Sequence, residues 1–390
     1  MKNIAIVGTG NISSLHIKGL LKFPERMKIV ALVDIYPEKA QAKKEEYNLV
    51  DAQVFASHEE MLASGIEVDL VHNCTPPYVH APISIDCMNH GINVVVEKPM
   101  ATCLQECDAM IAAAKENNVV LATIAQNRFQ DSVHKLKTLA DSGIAGKVRV
   151  AHVESLWWRG HNYYDLWWRG LWEKEGGGPT LNHAVHHIDM INWIQGDLPK
   201  EVTAVLANVM HDNSEVEDLS FGILQYNNGS IAQVTSSVVH HGEEQGIILQ
   251  CEKAKIASPF DVKSEIAMGN GFPTTNNELI GEITKKYEEL ENLEYYGHAG
   301  QIDDILTSLE NGTKTLITGE DGRKTVELIS AIYKSGCQKK TVSLPLSTDD
   351  EFYTFEGILK NAVRFYEKTG HIENFSAEQI SVGRYEQAAK

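Results

Sequence analysis

The stretch Ile4-Ala5-Ile6-Val7-Gly8-Thr9-Gly10-Asn11-Ile12-Ser13 decides the fold of this chain. Four apolar residues ending in a glycine turn read as a buried strand that runs straight into a helix. The pattern Gly8-x-Gly10-x-x-Ser13 is a near match to the dinucleotide fingerprint, with serine at the third glycine. Gly8 permits the tight turn and Gly10 lets a pyrophosphate approach the backbone. Thr9, Asn11 and Ile12 complete the turn, and the following helix offers its unpaired N–H groups to the phosphates. Asp34 stands at the end of the next predicted strand, 24 residues after Gly10. A carboxylate there accepts hydrogen bonds from the adenosine ribose hydroxyls and repels a 2′-phosphate. No arginine follows in Ile35-Tyr36-Pro37-Glu38, so NAD is expected rather than NADP.

Working outward, strand patterns at Asn3–Val7, Lys28–Asp34, Val68–Cys74, Asn93–Glu97 and Val119–Ile124 alternate with helical patterns. That alternation predicts a doubly wound parallel sheet of Rossmann type. Two helix starts carry capping boxes, Ser57 with Glu60 and Thr102 with Gln105. The segment Asn93-Val94-Val95-Val96-Glu97-Lys98-Pro99 reads as a strand covered on both faces and ending in an amine. Ligands bind at the carboxyl ends of such strands, where an amine is costly unless paired or used. The turn Cys74-Thr75-Pro76-Pro77-Tyr78-Val79-His80 also leads from strand to helix. It reads either as lining for the nicotinamide half of a cofactor or as an ordinary proline turn.

At 390 residues the chain predicts two domains, expected at 1–125 and 126–390. No apolar run reaches membrane-spanning length, and the short apolar stretch at the amino terminus serves better as a strand than as a signal peptide. A formal net charge of −18 disfavours a nucleic-acid partner, whose affinity comes from Lys and Arg neutralising phosphates. The six cysteines form no C-x-x-C pair, and Cys103 and Cys107 read as small apolar residues on one helix. A reduced, cytoplasmic protein is expected.

After about Gln126 the pattern changes. One long helix is predicted from Leu181 to Ile194, followed by strands at Val202–Val209, Leu219–Tyr226, Ser230–Val239 and Gly246–Cys251. Tyr226-Asn227-Asn228-Gly229-Ser230 supplies a hairpin turn, so strands adjacent in sequence should pair antiparallel. The second domain is predicted as α+β with an open, largely antiparallel sheet. Its exposed face argues for a homodimer or homotetramer. In the tail, Phe355, Leu359, Ala362 and Tyr366 are expected on one helical face that packs back on the body.

Gly176-Gly177-Gly178-Pro179-Thr180-Leu181-Asn182-His183-Ala184-Val185-His186-His187-Ile188-Asp189 is the richest chemical segment. On one helix, Asn182, His186 and Asp189 share a face, and His183 and His187 share a neighbouring one. The second pair lacks an internal glutamate and an evident third ligand, so no metal is expected. Upstream, Trp157-Trp158-Arg159 and Tyr163-Tyr164-Asp165-Leu166-Trp167-Trp168-Arg169 combine flat rings with arginines. Such a segment serves either as a platform for a sugar or nicotinamide ring or as core of the second domain.

These motifs together resemble the glucose–fructose oxidoreductase / inositol dehydrogenase / rhizopine catabolism family. The resemblance also rests on Gln126-Asn127-Arg128-Phe129, Trp168-Arg169-Gly170, Gly297-His298 through Asp303, and Val342-Ser343-Leu344-Pro345, and it covers residues 1 to about 346. It implies a Rossmann domain followed by a domain whose open sheet mediates oligomers. It implies that Lys98 lies near nicotinamide and substrate, and that His186 is the catalytic histidine with Asn182 beside it. In several members the place of Asn182 holds an aspartate, and that of His298 a tyrosine. Cofactor contacts are expected from Gly8, Thr9, Gly10, Asn11, Ile12, Asp34, Thr75, Pro76, His80, Glu97, Lys98, Gln126, Trp168 and Arg169. Substrate contacts are expected from Lys98, Arg128, Trp157, Tyr164, Asn182, His186 and His298. The expected activity is NAD-dependent oxidation of a secondary alcohol of a sugar, sugar derivative or cyclitol. The alternatives are a glycoside hydrolase that recycles tightly held NAD, and a non-catalytic dinucleotide sensor.

Overall fold

The computed structural model describes residues 1–373. They form two compact units, the first made of Met1–Gln126 with Tyr295–Val326 and the second of Asn127–Glu294 with Glu327 onward. Residues 295–326 thus fold with the amino-terminal unit, which differs from a single cut after residue 125.

In the first unit six strands form one parallel sheet: β1 (Lys2–Val7), β2 (Met27–Val33), β3 (Gln53–Phe55), β4 (Leu70–Asn73), β5 (Asn93–Val96) and β6 (Leu121–Thr123). Their order is β3-β2-β1-β4-β5-β6, the doubly wound arrangement whose strand order reverses beside β1. Helices α1 (Ser13–Leu20), α2 (Pro37–Glu46), α3 (His58–Ala63), α4 (His80–Asn89) and α5 (Leu104–Glu116) connect them. β3 has only three residues and no alternating pattern, so its strand was not legible; pairing of Ala31–Val33 with Gln53–Phe55 creates it. Ser57 caps α3 as expected, accepting from Glu60 N at 3.2 Å. The second box does not form: Thr102 N and Oγ1 both donate to Glu106 rather than engaging Gln105. Glu106 lies one turn on from Thr102, within reach of both donors.

The core of this unit joins Ile4, Ile6, Ile17 and Leu20 to Ile302, Ile305 and Leu306, all at most 1% exposed. The last three belong to a later helix of residues 297–311, which returns to cover α1. Gln301 on that helix accepts from Ala125 N at 3.0 Å and donates to Thr123 O at 2.8 Å, pinning it to the end of β6. Cys103 and Cys107 are buried and in no disulfide, in keeping with small apolar residues at that spacing.

The second unit is built on a mixed sheet of eight strands. Five of them are β7 (Val148–Leu156), β8 (Glu201–Ala207), β9 (Leu219–Gln225), β10 (Ile231–Ser237) and β11 (Gln245–Cys251). β8, β9 and β10 pair antiparallel in sequence order, as the Asn228-Gly229 turn predicts. β10 and β11 do not pair with each other, because β7 lies between them, parallel to β10 and antiparallel to β11. Strand alternation is clear in β8 and β9: Val202, Ala204 and Leu224 are buried, while Val205, Phe221 and Ile223 face out.

The helices of this unit include α6 (Asp131–Asp141), α7 (Trp172–Glu175), α8 (Pro179–Asn182) and α9 (Val185–Gln195). The long helix expected from Leu181 to Ile194 is therefore two. His183 N and Ala184 N both donate to Pro179 O, at 3.0 and 2.8 Å, which widens the turn between α8 and α9. α10 (Asn277–Glu289) precedes the returning helix, now α11 (Gly297–Asn311), and α12 (Gly319–Gln338) follows. In the tail, α13 spans Phe355–Asn361; of the expected face Ala362 is buried, Phe355 and Leu359 are half-buried and Tyr366 is exposed, while Phe352, Tyr353 and Ile358 supply the rest of the buried surface. Beyond α13 the chain crosses the aromatic segment: Ile372 N donates to Asp165 O and Trp167 N donates to Ile372 O. Trp172 Nε1 donates to Val363 O at 3.0 Å, a further tie to the same stretch.

Candidate active site

In the first unit the expected cofactor residues gather at the carboxyl edge of the parallel sheet. Gly8 has φ +90°, and a Cβ there would lie 2.8 Å from the Cys74 carbonyl. Gly8 is thus required for the β1 and β4 turns to meet. At Gly10 a Cβ would meet nothing within 4 Å, so the backbone there opens onto free space. Asp34 reaches back to this turn, its Oδ2 accepting from Thr9 N and Thr9 Oγ1 at 2.8 Å each. Ser13, at the third glycine's position, donates its hydroxyl to Gly10 O at 2.7 Å and leaves the turn intact. After β4, Asn73 is buried and orders the next turn. It accepts from Thr75 Oγ1 at 2.6 Å and donates to His80 O and Ser84. After β6, Gln126 is buried with no hydrogen-bond partner for Oε1. An open turn, a carboxylate at the ribose position and an orphaned amide oxygen on one sheet edge fit a dinucleotide.

His80 is a correction among the expected cofactor contacts. Its ring is fully buried, with Nδ1 2.9 Å from Pro99 O and Nε2 2.7 Å from Thr75 O. Burial lowers its pKa, against the pull of the two carbonyls. The ring ties the Thr75 turn to the Lys98-Pro99 turn and has no surface left for a ligand.

Glu97 and His298 meet in a cluster that no sequence spacing announced. His16, in the first turn of α1, places Nε2 2.8 Å from Glu97 Oε1 and Nδ1 2.8 Å from His72 Nδ1. His298, in the first turn of α11, lies 3.6 Å from the same Oε1. Burial opposes ionising Glu97, but hydrogen bonds and charge from His16 and His298 overcome it and hold the carboxyl well below its ordinary range. His72 is pushed the other way, by burial and by the charges of His16 and His298. Glu97 Oε2 in turn accepts from Lys98 N at 3.1 Å, so the cluster fixes the backbone from which Lys98 projects. His16, Glu97 and His298 present three donor atoms within 4.8 Å of one another, a set that could hold a cation. The starts of α1 and α11 both bring partial positive charge here, which favours the carboxylate and opposes a cation. Hydrogen bonding accounts for the arrangement.

In the second unit the glycine-rich segment shapes the other expected residues. Asn182 donates Nδ2 to Gly177 O at 2.8 Å and to Gly178 O at 3.2 Å, so its amide is tied to the turn before α8. His186, half-buried, lies beyond the widened turn on α9. Asp189, one turn further along α9, takes Arg128 Nε and Nη2 on its two oxygens at 2.8 and 2.7 Å. Arg128, expected at the substrate, is 2% exposed and has its fork committed to this pair. His183 and His187 part company. His187 is 1% exposed and burial lowers it to about 4, leaving a neutral core residue. His183 packs its ring 5.4 Å from Trp157 and 6.1 Å from Tyr163.

The aromatic segment divides in the same way. Tyr164, expected at the substrate, is 1% exposed and packs its ring on His211, so it is core. Its neighbour Tyr163, missed in the sequence, is the ring that joins the cluster. Arg169 stacks between Tyr163 and Trp168, 4.3 and 4.2 Å from their centroids. Its Nη1 donates to Glu175 at 2.8 Å, and Arg159 lies 5.2 Å over Trp157. The two adjacent tyrosines lie on a single 3-10 turn, His161–Asp165, too short to give a periodicity from which Tyr163 could be told from Tyr164.

Comparison with known proteins bears on both units. A family model described as an oxidoreductase family with NAD-binding Rossmann fold matches residues 2–124. One described as a GFO/IDH/MocA C-terminal domain matches residues 133–257. The chain is 31% identical over 255 residues to 2,7-anhydro-N-acetylneuraminate hydratase of Mediterraneibacter gnavus, covering 65% of this chain and 66% of that protein. It is 30% identical over 259 residues to an uncharacterized oxidoreductase of Streptococcus pneumoniae, covering 66% and 68%. The alignments thus span about two thirds of these relatives' length. The WlbA dehydrogenase from Bordetella pertussis, solved in complex with NADH and UDP-GlcNAcA, superposes with a TM-score of 0.76 at 26% identity. That match covers 89% of this chain and 98% of the other.

Proposed function

This chain belongs to the GFO/IDH/MocA family of NAD-binding oxidoreductases, and on that premise we propose that it oxidises a secondary alcohol of a sugar, sugar derivative or cyclitol. The observation that carries the reading is Glu97-Lys98: a lysine at the carboxyl end of β5, projecting from a backbone that a buried, ionised glutamate holds in place.

When bound, NAD supplies the hydride acceptor. The Gly8–Ile12 turn and Asp34 would hold its adenosine and phosphate half, and Thr75, Pro76 and Gln126 its other half. Trp168 and Arg169 offer a flat cationic platform for the nicotinamide or the sugar, with Trp157 and His183 beside Tyr163. Lys98 donates to the reacting oxygen and stabilises the negative charge that develops on it. His186 takes the hydroxyl proton, the task suited to an imidazole near neutral pH. Asn182, its amide tied to the glycine turn, orients the substrate without taking a proton. Lys98→Ala and His186→Ala should each retain NAD binding and lose turnover by about a hundredfold or more. Full activity in both would remove the site. A panel of sugars, glycosides and inositols, read as NAD reduction, identifies the substrate.

The hydratase relative favours one second reading, a reaction in which tightly held NAD is reduced and reoxidised within a cycle. Stoichiometric NADH release separates the two, since only net oxidation produces it. We further propose a homo-oligomer. Val150, Val205, Phe221, Ile223 and Ile231 are between 37% and 63% exposed on one face of the second unit's sheet, a cluster of apolar side chains of the kind that marks an interface. Among the described residues no helix is long and apolar enough to cross a membrane. A monomer by light scattering at micromolar concentration would sink this assignment.

A further inference from the structure

The first turn of α8 begins with a problem of unpaired donors. Its capping residue is Gly178, with no side chain, and Pro179 brings no N–H. Leu181 N and Asn182 N donate to Gly178 O, leaving Gly178 N and Thr180 N to find acceptors. Both find Glu217, a fully buried residue just before β9: Oε2 accepts from Gly178 N at 3.1 Å and Oε1 from Thr180 N at 3.1 Å. Tyr333 on α12 donates its hydroxyl to the same Oε1 at 3.0 Å. The packing is tight enough to dictate sequence. A Cβ on Gly178 would lie 2.0 Å from Glu217 O, and one on Gly177 would lie 2.1 Å from Tyr333 Oη. The carbonyls of these two glycines are the acceptors of Asn182 Nδ2. One short peptide stretch is therefore gripped by Glu217 through its N–H groups and grips Asn182 through its C=O groups.

We propose that Glu217 is a positioning residue for the reaction, its ionised carboxylate fixing residues 177–182 and hence Asn182 and the start of the helix that carries His186. This rests on the dehydrogenase reading above. Three donors converge on two oxygens, which an ionised carboxylate accommodates. A protonated carboxyl is a weaker, neutral acceptor and adds an O–H of its own that needs an acceptor, so its hold on the three donors loosens. Burial pushes Glu217 up to about 7, against the hydrogen bonds from Thr180, Tyr333 and Gly178. The titratable groups within range of its charge are Tyr333, Tyr164 and Cys337, each a neutral acid whose ionisation the carboxylate opposes, and Glu175 lies in range of Tyr333. The grip therefore tightens as pH rises through neutrality.

The test uses the full-length protein with NAD and whichever sugar the panel identifies. Glu217→Gln should lower kcat by about tenfold to a hundredfold at every pH, as expected for misplaced catalytic groups, and leave the KM for NAD unchanged. Tyr333→Phe removes one hydrogen bond to the carboxylate while sparing both backbone contacts. It should move the acid limb of the kcat profile to higher pH. An infrared difference spectrum should show a protonated-carboxyl band that grows as pH falls through about 7, disappears in Glu217→Gln and shifts with Tyr333→Phe. Wild-type pH profiles in both variants, or no such band, would overturn the proposal. If no substrate is oxidised the dehydrogenase reading fails instead, and the infrared arm still reports on Glu217.

Discussion

Two glycine turns in this protein look alike as sequence and are opposites as structure. Gly8-x-Gly10 and Gly176-Gly177-Gly178 each stand just before a helix start, and each reads as backbone that must come close to something. At Gly10 the space a Cβ would take is empty, so the turn is shaped for a ligand. At Gly177 and Gly178 that space holds Tyr333 and Glu217, so the turn is shaped for the protein itself. Gly10 leaves its turn open, whereas Gly177 and Gly178 let the other turn pack against buried side chains.

The sharpest way to break this contrast is Gly178→Ala. A backbone carbonyl 2.0 Å from the new methyl has no flexible end to swing away. The substitution should cost about 3 kcal/mol or more of unfolding free energy by urea titration, at the top of the range for overpacking. Unchanged stability would mean the segment is not held where described.

The second effect compares two buried carboxylates. Glu217 is raised from 4.5 to about 7, so the folded state binds its proton more tightly than the unfolded state. Its contribution is fully present below pH 4.5 and is lost as pH rises through about 7. Between about pH 5 and pH 8, the wild type should lose up to about 3 kcal/mol more stability than Glu217→Gln. Glu97 has the reverse sign. Its carboxyl is held well below 4.5, so its contribution is present above that value and disappears on acidification. Ionised Glu217 thus costs stability at the pH where it orders Asn182, which is where strain is expected at a working site.

The smallest effect is Gly10→Ala. NAD should bind about tenfold more weakly by calorimetry, equivalent to about 1.4 kcal/mol, because the methyl occupies the approach to the phosphates. Thermal stability should barely change. Equal NAD affinity would show that Gly10 does not face the cofactor.

Much of the first unit was legible, because its information is local. Ile4 to Ser13 carries a strand, a turn and a helix start in consecutive residues, and Asp34 follows at the spacing of one β-α-β crossover. The exposed stripe of Val205, Phe221 and Ile223 follows from alternation alone. Three kinds of feature were not legible. β3 and the insertion of β7 beside β10 depend on partners distant in sequence. Tyr163 and Tyr164 differ only in which ring the loop turns outward. Arg128 looked like a substrate ligand until Asp189 was found on its fork.

The sequence by itself determined the Rossmann sheet, the cofactor turn with Asp34, and Lys98 at a strand end, since each is set by short-range periodicity, turn chemistry and strand polarity. The tertiary structure alone decided which polar groups meet. His16 and His298 close on Glu97, with His72 bonded to His16, and Tyr333 and Gly178 close on Glu217, because burial forces each carboxylate to find donors wherever the fold brings them. Spacing along the chain carries no record of that choice.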